Sequence, residues 1–588
     1  MLYPKLLLSM CSPKDGVRFA FAVVSAAIVA SLEAFALLSI VAFLSLVTRT
    51  GNSVNSSLTG TFLQNRGLLF TSIIVLLAVV LKNGYSLFNE WYQNSFVAFF
   101  RHRLSVGLLR AFLSRSYLFF LEQNTDQLGA RFLTDVDRIS EGYLRALLLI
   151  LTECMVLIAL LTVLFAQRPQ ATLFLMLAVI ALGAALLLSL KRISKSVSFS
   201  FTKYQHQRYL SGGATMRGIK DIKAACTEAS FLKRFSDASF AFSRVQVAQG
   251  MLLVSPRLLI ETTGFAALVG AVWYIQQSAG DLTGHLPIIA MYATAAYRML
   301  PSTNRLFSSL QQLRLADEPM LAISAMMQKA DESDQDEGEG GPILMKQDFG
   351  MAGLHFRYPG QSVEALRDVS FTVRRNEFVG IVGPSGAGKS TLVDVLLGLL
   401  APSSGSLMVD GRQIAPTELR AWRRRIGYVP QSIFLLDGTI GDNIVFGRDE
   451  IVDQASMREA ARLARMDDFI ATLDHGYETA VGENGVRLSG GQRQRIGIAR
   501  ALYRGADVLL FDEATSALDY QTERLVTDSI QGLSGTVSII VVAHRLSTVA
   551  GADRLLLLDG GRLVDEGTYD FLANSNALFK RMIRAATA

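Results

Sequence analysis

Apolar and polar positions are arranged differently in the two halves of this chain. Through roughly the first three hundred residues the apolar positions form long runs with few interruptions. A hydrocarbon layer about 30 Å thick takes roughly 20 helical residues at about 1.5 Å each. Six stretches meet or approach that length, near 19–47, 68–98, 143–166, 169–190, 255–276 and 286–305. Several are long enough to tilt or to project beyond the layer. The segments between them at 48–67, 167–168 and 277–285 are short, whereas 99–142 and 191–254 are long and compatible with helix. Two parts of the long connections, YLFFLEQNTDQLG at 117–129 and SGGATMRGIKDIK at 211–223, carry the glycine and polar interruptions of bends. From residue 342 onward short β-rich runs such as SLMVDG, ADVLLFDEA and SIIVVAH alternate with helical patterns. That alternation predicts an α/β domain with a largely parallel sheet.

Charge adds orientation. Lysine and arginine gather in the two long connections, while the last short loop, QSAGDLTGH, has neither. Basic loops stay on the cytoplasmic side, so the long connections and both chain ends are expected there. The stretch DESDQDEGEGG at 331–341 reads as an acidic linker, giving a membrane domain over 1–330 and a second domain over 342–588. Half of the 588 residues are apolar and 18% are charged, the balance of a lipid-embedded block joined to a soluble domain. The net charge of +6 fits basic cytoplasmic loops, and no basic run interleaved with aromatics suggests nucleic acid. Cys11, Cys154 and Cys226 are scattered without metal-ligand spacing.

Three strings in the second domain carry chemistry. GPSGAGKST, from Gly383 to Thr391, follows the apolar run EFVGIVG and precedes LVDVLLGLL. Gly383, Gly386 and Gly388 allow the backbone to wrap a phosphate chain, with Pro384, Ser385 and Ala387 between them. Lys389 can reach the β- and γ-phosphates, and the Ser390 hydroxyl can bind Mg²⁺. In ADVLLFDEATSALD, Val508 to Phe511 form a buried strand that delivers Asp512 and Glu513. Asp512 can hold the magnesium through water and Glu513 can orient or deprotonate the attacking water. These parts suffice, because phosphoryl transfer needs positioning and charge neutralisation more than covalent chemistry. In LSGGQRQR, Ser489, Gly490, Gly491 and Gln492 open a helix whose positive end can clamp a γ-phosphate. Its own domain already has a phosphate loop, so this second clamp implies a partner domain across the nucleotide.

These strings together resemble the nucleotide-binding domain of the ABC family. The resemblance implies further roles for positions that match its pattern. Tyr358 in FRYPG is similar to the aromatic that stacks on adenine. Gln431 in YVPQ resembles the glutamine that senses the γ-phosphate and contacts the membrane domain, and it joins Ser390 and Asp512 as a candidate metal ligand. Asp519 in SALD resembles the dimer-interface aspartate, and His544 in VVAHRLS the switch histidine. The two cytoplasmic bends are similar to the coupling helices of ABC exporters. The expected architecture is therefore an all-α six-helix transmembrane domain of the ABC exporter type fused to an α/β P-loop ATPase domain. Such a half-transporter uses ATP and Mg²⁺. A homodimer is the simplest way to complete two sites, each borrowing the LSGGQ of the other copy.

Charged residues inside membrane spans are costly and mark function by default. Here there are several, among them Glu33, Lys82, Glu153, Arg257, Glu261, Arg298 and Arg305. Arg298 and Arg305 are seven apart and share a helical face. Basic residues outnumber acids in this set, which suits an anionic, phosphate-like head group. Two bland readings compete: the basic residues can pair with Glu33, Glu153 or Glu261, or snorkel to the interface. SPRLLIETTGF at 255–265 and YRMLPSTNRL at 297–306 resemble bacterial lipid-linked oligosaccharide flippases. That resemblance implies that Lys82, Arg257, Arg298 and Arg305 meet a polyprenyl-pyrophosphate at the inner membrane of a bacterium. A lipid A, drug or peptide exporter is the alternative. A soluble ABC ATPase does not fit six spans, and an ATP-gated channel would not need stoichiometric hydrolysis.

Overall fold

The structure is a computed structural model and describes residues 12–47, 68–123, 128–129, 131–167, 169–279, 286–333, 343–447, 452–513, 520–543 and 545–587. Two compact units are present. One comprises Met1–Arg115 with Glu122–Glu332, the other Ser116–Leu121 with Ser333–Ala588.

The first unit is helical. Its long helices are α1 (Pro13–Val47), α2 (Leu68–Leu113), α4 (Arg145–Gln167), α5 (Pro169–Arg217), α7 (Glu228–Ala279) and α8 (Leu286–Leu315), with α9 (Asp317–Ser333) at its end. Each segment expected to span the membrane falls, to within two residues, in one of these six long helices. Helix α1 starts with proline, whose missing N–H is no loss in a first turn. Asp15 then accepts hydrogen bonds from the Ser12 backbone and hydroxyl, both at 2.9 Å. Proline restarts the chain in the same way at Pro169, directly after α4. Helix α1 packs along α2 and α4, α4 along α8, and α5 along α7. Ala22, Ala26 and Ala30 are buried at four-residue spacing on α1, which lets neighbouring backbones approach closely. A core of Val29, Leu37, Val41, Val156, Leu160, Leu164, Ala295 and Met299 joins α1, α4 and α8. Outside it, α2 exposes Leu69, Ile73, Leu76, Leu77 and Val80. Such a contiguous apolar surface suits lipid rather than water. Among the described residues, three helical stretches, Pro13–Phe43, Leu68–Leu113 and Phe132–Ala166, are long and apolar enough to cross a membrane.

The bends depart in detail from the sequence reading. Helix α5 continues through Ser211, Gly212 and Gly213, where a break was expected, and ends at Arg217. An internal glycine costs only about 1 kcal/mol, so a helix can run through one. A side-chain carbon on Gly212 would lie 3.4 Å from the Phe235 ring. The turn falls instead at Gly218, followed by the short α6 (Ile219–Ala224) and by Cys226 at φ 51° before α7. In the other bend α2 ends at Leu113 and the short helix α3 (Tyr117–Glu122) follows.

The second unit contains two sheets. Strands β3 (Phe378–Val382), β6 (Ile426–Val429), β7 (Val508–Asp512), β8 (Ser538–Val542), β9 (Arg554–Asp559) and β10 (Arg562–Gly567) form one, in the order β10-β9-β3-β8-β7-β6. It is parallel except for the edge pair of β9 and β10. Strands β3 and β8 are buried along their whole length, as expected for a sheet covered on both faces. The other sheet is antiparallel, in the order β2-β1-β4-β5, and was not foreseen. It consists of β1 (Asp348–Phe356), β2 (Leu366–Arg374), β4 (Ser404–Val409) and β5 (Arg412–Gln413). The SLMVDG run enters it through β4, and β2 shows the in–out alternation of a half-buried strand. Helix α3 also contributes to this unit, with Leu118 packed against the core built on Phe349, Leu392 and Trp422.

Candidate functional site

The phosphate loop lies between β3 and helix α10 (Lys389–Leu396). Gly386 and Gly388 adopt φ of 79° and 96°, a left-handed conformation that glycine accepts without penalty. At Gly383 a side-chain carbon would fall 2.2 Å from the Leu558 carbonyl oxygen, so only glycine fits. Lys389 is 5% exposed, and its Nζ donates to the carbonyl oxygens of Gly383 at 2.9 Å and Pro384 at 3.1 Å. Burial pulls its ammonium below the usual lysine range, while the Glu513 and Asp512 carboxylates act the other way. Tyr358 stacks edge-on with Phe356, and its hydroxyl lies 3.2 Å from Thr391 Oγ1.

Asp512 closes β7, and Glu513 follows at φ 49°, an unusual conformation for a residue with a side chain. Backbone strain of this kind collects at functional sites, where surrounding contacts hold it in place. Here the Glu513 N–H donates to the Val542 carbonyl at 3.0 Å, and Gln431 Nε2 donates to Glu513 Oε2 at 2.9 Å. The Tyr428 hydroxyl lies 3.4 Å from Asp512 Oδ2, and burial followed by the Asp512 charge pushes that hydroxyl far above its ordinary pKa. Ser390, Asp512 and Gln431, the residues expected to meet a metal, offer oxygen donors, the kind that a hard cation such as Mg²⁺ takes.

Ser489 caps helix α11 (Gly490–Tyr503). Its Oγ accepts from Gln492 N at 3.2 Å, and Gln492 Oε1 accepts from Ser489 N at 2.7 Å, forming a reciprocal capping box. Gly490 and Gly491 form the first turn. Asp519 and His544 lie outside the described residues, as does most of the acidic linker.

Sequence reading missed two contributors. Arg500, on α11, donates through Nε to the Asn443 carbonyl at 2.9 Å and through Nη1 to the Phe434 carbonyl at 3.0 Å. It thereby ties the segment after Gln431 to the helix that begins at Ser489. Asp394, on α10, is pushed up to about 6 by burial and by Asp512. An acid among apolar neighbours in LVDVLLGLL was the available signal for it.

In the first unit five of the seven intramembrane charges named above form two groups. Glu33 on α1 meets Lys82 of α2 at 3.0 Å and Arg298 of α8 at 3.3 Å, so one carboxylate serves two cations. Arg305 pairs with Glu153 of α4 at 3.1 Å. The two arginines on one face of α8 therefore engage different acids. Arg257 is exposed on α7 and takes part in neither group. Polar contacts extend the seam: the Ser25 hydroxyl donates to Asn89 at 2.8 Å, Tyr85 to Ser25 at 3.2 Å and Gln93 to Thr152 at 3.0 Å.

Residues 366–516 match the family model described as ABC transporter, and residues 19–289 match the ABC transporter transmembrane region. An ATP-dependent lipid A-core flippase of Yersinia pestis is 30% identical over 505 residues, covering 84% of either chain. This chain belongs to the ABC transporter family. A heterocyst differentiation ATP-binding protein of Nostoc sp. is 29% identical, over 85% of this chain and 81% of its own length. The lipid A-core flippase of Salmonella typhimurium is 28% identical over 88% of each. Among solved structures, a bacterial Atm1-family ABC exporter with ATP bound superposes with a TM-score of 0.78 at 25% identity, covering 96% of this chain and 99% of that one. The protein is accordingly a multi-pass ABC exporter in which ATP hydrolysis is coupled to transport. Both the membrane-domain and the ATPase-domain expectations belong to this fold.

Proposed function

We propose that this exporter flips a phosphate-bearing, glycan-linked lipid across the inner membrane of a bacterium, with a polyprenyl-pyrophosphate-linked oligosaccharide as the favoured substrate. The observation that supports this reading is the Glu33 group: two cations, Lys82 and Arg298, gather on one carboxylate between α1, α2 and α8, among helices otherwise suited to lipid. A charge in that setting is expensive unless a ligand uses it. The named relatives give specific support to a second substrate, lipid A, another phosphorylated glycolipid. Both substrates would bring phosphate to Lys82, Arg298, Arg305 and Arg257.

The six long helices are read as six spans, with both chain ends and the ATPase domain cytoplasmic. Two copies of the chain pair to complete two ATP sites. In each, the 383–391 loop and Lys389 bind the phosphates, Tyr358 contacts adenine and Glu513 orients the attacking water. Ser390, Asp512 and Gln431 would hold Mg²⁺, which neutralises phosphate charge when bound. His544 contacts the γ-phosphate, and Asp519 belongs to the dimer interface. Ser489, Gly490, Gly491 and Gln492 of the other copy cover the nucleotide. Lys389 donates to its own loop's carbonyls, and Gln431 holds Glu513. Phosphate would draw Lys389 away from those carbonyls, which is the sense in which the loop is ready for it.

The direct test reconstitutes the full chain in proteoliposomes and follows ATP-dependent flipping of a polyprenyl-pyrophosphate glycan, a lipid A and an uncharged glycolipid. Movement of either phosphorylated lipid but not the uncharged one is expected. Equal movement of all three would refute phosphate recognition.

A further inference from the structure

An acid outside every nucleotide-binding string joins two segments of the ATPase unit. Helix α12 (Tyr520–Gly532) begins directly after Asp519, and Glu523 lies in its first turn. The inner face of α12 is anchored, with Val526 and Ile530 buried in the core around Phe511 of β7 and Val541 of β8. The Glu523 side chain is only 9% exposed. Both of its carboxylate oxygens face the segment that follows His544. Oε2 accepts from the Arg545 guanidinium, and Oε1 accepts from the Ser547 hydroxyl at 3.1 Å. On the other side of His544 in the chain, the Ala543 N–H donates to the Ile381 carbonyl of β3 at 3.1 Å. The residues flanking His544 are therefore tied at one end to the strand that leads into the phosphate loop, and at the other to the helix behind Asp519.

We propose that Glu523 is a positioning residue for ATP hydrolysis, holding the 545–547 segment on α12 so that His544 is presented to the γ-phosphate. This rests on the role of His544 given above. An apolar side chain could fill a buried position on α12, and a carboxylate there is costly unless its oxygens are satisfied. Here each oxygen takes a different residue of one short segment. Two points of attachment fix the direction of that segment as well as its distance, and the charge-assisted contact from Arg545 is the stronger of the two. A reacting group displaced by about 1 Å can lose roughly a hundredfold in rate. A residue that never meets the nucleotide can therefore govern turnover, while the 383–391 loop and Lys389 still bind ATP.

The test measures kcat and KM for ATP on the purified full chain in nanodiscs, for Glu523→Ala, Arg545→Gln and His544→Ala, singly and combined. Glu523→Ala and Arg545→Gln should each lower kcat at least about tenfold and leave KM within about twofold of wild type. In a His544→Ala background, already slowed, neither should lower kcat further, because residues that act through one group are not additive. A merely structural role would instead slow both backgrounds by the same factor. That equal loss would overturn the proposal and leave the His544 reading intact. Wild-type turnover by His544→Ala would overturn the His544 reading and this proposal with it. Wild-type kcat in both folded Glu523→Ala and folded Arg545→Gln would also refute it. If Glu523→Ala does not fold, Arg545→Gln carries the same comparison, since the Arg545 side chain is 45% exposed and its replacement spares the core.

Discussion

The phosphate loop and the Glu33 group, which we propose meets the phosphate of the cargo, are built in opposite ways. The loop is one contiguous string whose shape comes from backbone: Gly386 and Gly388 at positive φ, and Gly383 where no side chain fits. The Glu33 group comes from three separate helices, and its members meet through side-chain ionic contacts. A backbone cradle demands particular residues at fixed spacing, so its chemistry is local. A group assembled across helices demands only that each helix place one residue at the right depth. Variation of lipid substrate within one ATPase framework belongs in the second kind of site.

Breaking the local site should have the largest effect. Glu513→Gln is expected to keep ATP binding and lose about a hundredfold or more in turnover, the usual contribution of a general base, as read by phosphate release against nucleotide binding. Undiminished turnover would remove Glu513 from its role. Sharing of the site between copies gives a somewhat smaller effect. When Lys389→Ala and Ser489→Arg chains are mixed, half of the dimers carry one intact site, so about a quarter of wild-type hydrolysis should return if the sites act independently. No recovery in confirmed mixed dimers would contradict a composite site.

How much was legible follows from the same contrast. The glycines, Lys389, Asp512 and Glu513 fall together in one unit of the structure because β3 and β7 are close neighbours in one parallel sheet, with β8 between them. The strings that named them are adjacent to those strands. The antiparallel sheet was missed because its strands are separated by the phosphate loop and α10, so no hairpin signal announces the sheet as a whole. Arg500 was missed because its partners, Phe434 and Asn443, lie more than fifty residues away in sequence. In the membrane unit the charged residues were visible one by one. That Glu33, and not Glu261, is shared by Lys82 and Arg298 depends on helix rotation and depth, which a run of apolar residues does not encode. The bend expected at 211–223 falls in the second half of that stretch, at Gly218, because a helix can run through internal glycines such as Gly212 and Gly213 at a cost of only about 1 kcal/mol each.

Asp394 gives the smallest effect and a check on the electrostatics of the local site. A carboxyl moved from 3.8 to about 6 is raised, so the folded domain holds a proton that the unfolded chain releases. Stability is then lost as pH rises through that interval, by about 3 kcal/mol before solvent screening and about 1 kcal/mol after it for a half-buried group. Asp394→Asn should therefore raise the melting temperature of the nucleotide-free protein at about pH 7 by a few degrees and change it little near pH 4. An equal shift at both pH values would mean that packing, not charge, is responsible.

The central claim is that the cations of the membrane unit recognise the cargo and leave the hydrolytic machinery alone. Its most direct test is ATP-dependent flipping of a polyprenyl-pyrophosphate lipid by the Arg298→Gln, Arg305→Gln double variant in proteoliposomes, with basal ATP hydrolysis measured on the same preparation. Each lost contact to a shielded phosphate should cost about 1.5–3 kcal/mol, roughly ten- to a hundredfold in affinity. The account predicts flipping reduced to background with basal hydrolysis near wild type. Wild-type flipping by the well-folded double variant would contradict it.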